Sequence, residues 1–195
     1  MVYLIILSML STGAVCAQTL ELRQIGVSAS GEVEIAVVAE LADARASGVS
    51  FYVAIPEGAF EVVGAERPFA QGPLMAPAVE FANETMPREE AIGAPDGMVL
   101  LPYAAVRGPG AERGRTGQGE VARFALRPLR AGPLAVLLIS TPIYETKLVL
   151  DDGVGERAFE TLGGLVLNAS GLESEKPAGG GQHSWAAIKA GVATP

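Results

Sequence analysis

Apolar and polar residues alternate with a period of two along much of this chain, and that pattern predicts strands. The clearest case covers 32–41, where Val33, Ile35, Val37, Ala39 and Leu41 share one face while Glu32, Glu34 and Glu40 lie on the other. Val49, Phe51, Val53 and Ile55 repeat the pattern and stop at Pro56, which has no N–H to give to a ladder. Leu20, Leu22 and Ile25 begin the series over 19–28, with a slip near Gln24 that predicts a bulge. Later, Ala122, Phe124 and Leu126 point one way, and Arg123 and Arg127 the other.

Turn residues separate these runs. Ser28 to Gly31, Pro56-Glu57-Gly58 and Pro95-Asp96-Gly97 each supply a preset or reversed backbone angle. Val79 and Phe81 predict a further strand, and 98–106 another, in which Pro102 calls for an edge position or a bulge. The run 134–140 is apolar on both faces, which predicts a central strand covered on both sides. A hairpin over 144–159 turns at Asp151-Asp152-Gly153, and Leu165-Val166-Leu167 closes the series. The sum is roughly nine strands and no helix, an all-β, two-sheet antiparallel sandwich of jelly-roll type.

The ends read differently. Residues 2–10 form an apolar run followed by small side chains up to Ala17, the layout of a secretory leader cleaved after residue 17, although no Lys or Arg precedes it. Soluble export to the periplasm, the medium or the cell surface is the expectation. Lipidation through Cys16 is the second choice, because Val15 sits where that processing prefers Gly, Ala or Ser. The folded domain is expected over 18–169, a Gly- and Ser-rich linker over 170–183, and a short tail over 184–195 whose Trp185 and Ile188 share a face in a helical turn. That spacing makes Trp185 and Ile188 candidates for docking the tail elsewhere.

Charge and chemistry narrow the function. A net charge of −8 disfavours nucleic acid and anionic membranes as partners. The one histidine, His183, lies in the linker, so histidine-based triads and multi-histidine zinc sites are closed to the domain. Glycines over 107–119 suggest a phosphate cradle, but no Gly-Lys-Ser/Thr opens a helix there, and a hairpin loop is expected instead. Asp151 with Asp152, and Glu89 with Glu90, fall in connections without further oxygen ligands at regular spacing, so solvated turns are expected rather than calcium sites. The expectation is a chain that is not an enzyme and takes no metal or cofactor.

The stretch from Gly117-Gln118-Gly119 through an alternating strand, an apolar strand, a polar hairpin and a closing strand entered through Gly163-Gly164 resembles the C-terminal half of the cohesin family. So does the run Ile55-Pro56-Glu57-Gly58 leading to Phe60, Val62 and Val63, although family members more often carry an Asp-Pro pair with a Leu at that turn. The resemblance covers most of 19–168. It implies a two-sheet sandwich acting as a binding module, with one sheet face holding a dockerin or a similar protein. That face is expected to carry Tyr52, Arg123 and Arg127. The chain itself shows no paired calcium-loop repeats of the dockerin kind.

Two other classes compete. A carbohydrate-binding module would recognise a polysaccharide on coplanar aromatics, but 18–169 has no Trp and offers only Tyr52, Tyr103 and Tyr144 as polar rings. A structural role in the cell envelope would use the tail as its anchor.

Overall fold

The computed structural model describes residues 17–108, 114–169 and 189–191, and every regular element among them is a strand. In chain order these are β1 (Thr19–Val27), β2 (Val33–Glu40), β3 (Ala46–Pro56), β4 (Phe60–Val62), β5 (Ala70–Gln71), β6 (Val79–Asn83) and β7 (Met98–Val106). They continue with β8 (Gln118–Pro128), β9 (Gly132–Ile139), β10 (Lys147–Leu150), β11 (Glu156–Ala158), β12 (Thr161–Gly163), β13 (Leu165–Ala169) and β14 (Lys189–Gly191). The strands that the sequence pattern did not announce, β5, β12 and β14, are two or three residues long and carry no alternation to read.

The first sheet runs β12-β1-β2-β8, and the far edge of β8 is shared by β4 and β5. The expected bulge in β1 is there, as a register shift between Gln24 and Gly26 against β2. The second sheet is built on β3. Along one edge β3 pairs with β7 from Gly48↔Val106 to Pro56↔Met98. Its other edge is divided, with β10 against Ala46 to Ser50 and β9 against Tyr52 to Ala54. Outside these, β6 joins β7, β13 joins β9 and β11 joins β10.

The two sheets close on a common core. Val33, Ile35, Val37, Ala39 and Leu41 meet Val49, Phe51, Val53 and Ile55 in one buried cluster, so both alternating strands turn their predicted faces inward. Burying each large side chain of this kind stabilises by about 1.5–3 kcal/mol, the main favourable contribution to the fold. Phe51, Phe69, Tyr103 and Phe124 form an aromatic knot at one side, with ring centroids 5.0–5.4 Å apart.

The strand that Val79 and Phe81 predict is present as β6, with those side chains 59% and 73% exposed and with Glu80 between them accepting bonds from Asn83, Arg67 and Tyr103. Two expectations change on contact with the structure. Pro102 sits on neither an edge strand nor a bulge of its own. It faces Tyr52 on β3, and on its other side it falls between the end of β6 at Asn83 and the separate Met86–Leu100 bridge, where no ladder needs its N–H. The outer side of β9 is covered at one end only, where Leu137 and Ile139 pack on a small cluster of Ala54, Ala91, Leu100 and Tyr144. No helix among the described residues is long and apolar enough to cross a membrane.

Candidate docking faces

A two-sheet sandwich offers two outer faces, and in this chain they differ in kind. On the first sheet, the positions of β1, β2 and β8 that alternate with the core carry Glu21, Arg23, Glu34, Glu40, Arg123 and Arg127. Most of that charge is paired within the face. Arg127 donates to Glu32 and to Glu61, both at 2.6 Å, Arg123 donates to Glu120 at 2.8 Å, and Arg23 bonds Glu21. The bond from Arg127 holds the Glu32 carboxyl below the usual carboxylate range and outweighs the opposing effect of desolvation, while Arg127 itself is held more firmly protonated. Surface pairs of this sort add little stability, but they leave few charges unengaged.

The outer face of the second sheet is built from different residues. Opposite the core, β3 presents Ser50, Tyr52 and Ala54; β7 presents Leu100, Pro102, Ala104 and Val106; β9 presents Pro133, Ala135, Leu137 and Ile139. The flanking strands add Val79 from β6, and Val166 and Asn168 from β13. None of these side chains is charged. Charge enters at the β10–β11 corner, where Lys147 donates to Glu145 at 2.8 Å and to Glu156 at 2.7 Å, bonds that raise its pKa above the ordinary lysine value.

One end of this second face is roofed. The Tyr52 and Tyr144 rings lie 5.1 Å apart and tilted by 57°, and the Tyr144 hydroxyl donates to the carbonyl of Ile92 at 2.9 Å. Thr141 Oγ1 accepts from the Tyr144 N–H at 3.0 Å and so shapes the loop that carries the ring. On the outside of this roof Ile92 and Ile143 are 77% and 63% exposed, two large apolar side chains meeting solvent beside an apolar sheet.

The sequence-predicted site residues therefore do not share a face. Tyr52 lies on β3 in the second sheet, whereas Arg123 and Arg127 lie on β8 in the first, so the single surface expected to hold all three does not exist. The physical reason is that alternation assigns a residue to the inside or the outside but not to a sheet, and β3 and β8 belong to opposite layers. Tyr52 is also half-buried against Tyr144 rather than freely exposed. Sequence reasoning passed over Ile92 and Ile143, whose only signal was an isoleucine in each of two connections. Trp185, Ile188 and Cys16 lie outside the described residues. Asp151 pairs with Arg45 at 2.7 Å, and Asp152 Oδ1 accepts from the N–H groups of Val154 and Gly155 at 2.9 and 2.7 Å, so both serve their turn.

The sheet order and the split edge of β3 can be set beside solved structures. A type II cohesin in a cohesin–X-dockerin complex from Acetivibrio cellulolyticus superposes with a TM-score of 0.55 at 9% identity, over 75% of this chain and 94% of that one. The fold is cohesin-like. A type II cohesin domain from the cellulosome of the same organism gives a TM-score of 0.53 at 13% identity, over 77% of this chain and 95% of that one. A type I cohesin–dockerin complex from Clostridium thermocellum gives 0.52 at 11% identity, over 76% and 97%. No family model matches the sequence, and neither does any curated protein. At these identities the likeness of this cohesin-like chain to its neighbours is one of fold.

Proposed function

We propose that this cohesin-like chain is a non-catalytic protein-binding module that grips its partner through the outer face of the second sheet. The observation that carries the reading is the contrast between the two outer faces. One is charged and paired within itself; the other is free of charge across β6, β7, β3, β9 and β13 in a protein whose net charge is −8. Apolar, charge-depleted centres are what stable protein interfaces bury. Strands of five to eleven residues, at about 3.3 Å per residue and about 4.8 Å apart, give roughly 600 Å² of sheet. With Ile92 and Ile143 at its rim, this approaches the ~800 Å² that each side of a standard interface buries.

Two of the structural neighbours were solved as complexes with dockerins, which supports a folded protein as the kind of partner. A dockerin-like or cell-envelope protein presenting an apolar, weakly charged surface fits the face. The leader-like residues 2–17 support an exported location, soluble after cleavage in preference to lipidated at Cys16. A polysaccharide is the weaker alternative, since the tilt between Tyr52 and Tyr144 gives no flat aromatic platform.

Immobilised protein should capture a discrete exported protein from the source cell and bind no glycan on an array. Retention of defined polysaccharides without protein capture would reverse the two readings.

A further inference from the structure

Every open sheet edge is a row of unpaired N–H and C=O groups, and folds blunt such edges with short strands, charges, prolines or bulges. Among the described residues, most edges of this sandwich follow that rule. In the first sheet the outermost strands β4, β5 and β12 are only two or three residues long. In the second sheet β11 is equally short, and β6 is broken by a register shift between Glu80 and Ala82. The exception is β13. Its five residues, Leu165 to Ala169, pair with β9 without a shift and contain no charge and no proline.

That unprotected edge is the one the chain covers. β14 runs antiparallel along it, with Val166 opposite Gly191, Leu167 opposite Ala190 and Asn168 opposite Lys189. We propose that the free edge of β13 is a strand-accepting site, and that its resident is this chain's own C-terminal segment, which closes the sheet by β-augmentation. The sequence of the tail suits the role. Ala-Ala-Ile-Lys-Ala-Gly-Val-Ala-Thr is mostly small or apolar and carries a single charge, a composition suited to pairing with a neutral edge.

Chain connectivity favours the same molecule as donor. Residues 170–188 tether the tail to the end of the strand it pairs with, and the cost of closing such a loop grows only slowly with its length. A tethered strand therefore competes at an effective concentration on the order of millimolar. Untethered strands, whether from a second copy or from another protein, gain the edge only when the tail is displaced. The tail thus acts as a guard on the edge of β13, whose outer side belongs to the sheet face proposed for partner binding.

Hydrogen exchange on the full chain tests this. In the full-length protein the β13 amides that point away from β9 should be protected, at a level independent of protein concentration. Ala190→Pro, which sets a proline ring into the middle of β14 opposite Leu167 but leaves the sandwich intact, should speed exchange of those amides by about tenfold or more, with Leu134 and Val136 unchanged. Deleting residues 184–195 should do the same and raise self-association in sedimentation, and a synthetic 184–195 peptide should restore protection. Exchange at 166–168 that is indifferent to Ala190→Pro and to the deletion would overturn the proposal. So would protection that appears only as a dimer forms, which would make a second copy the donor.

Discussion

Asn83 reads the backbone of Phe69 as a neighbouring strand would: its side-chain oxygen accepts from the Phe69 N–H at 2.9 Å, and its amide nitrogen donates to the Phe69 carbonyl at 2.8 Å. Asn83 ends β6 in the second sheet, while Phe69 leads into β5 in the first, so the pair closes one open side of the sandwich. Asn83→Ala leaves two partly buried backbone groups unsatisfied and should cost about 2–4 kcal/mol, read as a lower urea midpoint at unchanged slope. Asn83→Asp keeps the acceptor but sets a carboxylate against the Phe69 carbonyl and Glu80, and should be no better.

The Phe69 ring is the next link. It lies 5.4 Å from Phe51, 5.2 Å from Tyr103 and 5.1 Å from Phe124, edge to face with each. Phe69→Ala should destabilise by about 3–5 kcal/mol, a large share of the ~5–15 kcal/mol that holds a domain folded. Phe69→Leu keeps apolar bulk and loses the ring contacts, and thermal melts should place it between the two.

Acid and alkali should loosen the same corner for opposite reasons. Burial pushes the Glu80 carboxyl upward, but bonds from Asn83 and Arg67 prevail and hold its pKa below the usual 4.5. The unfolded chain then takes up the proton more readily, so this stabilisation is complete above about pH 4.5 and is lost as pH falls below it. Tyr103 is the reverse case. Burial first, then the charge of Glu80, raise its pKa above the ordinary 10.0, and its contribution is present below that pH and lost above it. Denaturation midpoints measured across pH should show a shallower acid limb in Glu80→Gln and a shallower alkaline limb in Tyr103→Phe.

Tyr144 pins the roof over Tyr52. Removing its hydroxyl in Tyr144→Phe orphans the Ile92 carbonyl and should cost about 1 kcal/mol. Faster exchange of the Ala94 amide, which bonds the Ala91 carbonyl at 3.0 Å within the loop it secures, is the local readout.

What could be read from the sequence was whatever a period of two encodes. Val33 to Leu41 and Val49 to Ile55 turned their predicted faces inward, and the slip at Gln24 marked a bulge, because each depends on neighbours a few residues away. Which layer a strand joins depends on pairing across long separations, and no local pattern records it. That is why Tyr52 and Arg123, both outward as expected, stand on opposite faces. Val79 and Phe81 announced β6, but their alternation did not record which side packs: both are exposed, and the half-buried position between them is Glu80, held by three hydrogen-bond partners instead of apolar contact.

Affinity for the captured partner, measured by calorimetry on variants of each outer face, bears most directly on the account. Ala104→Arg on β7 and Ala135→Glu on β9 place charge on the half-buried, uncharged face and should weaken binding by about a hundredfold, roughly 2.7 kcal/mol, with each fold retained. The double reversal Arg123→Glu, Arg127→Glu on the opposite face should change it by less than about twofold. Loss of binding in the double reversal, with the β7 and β9 variants binding as the parent does, would contradict it.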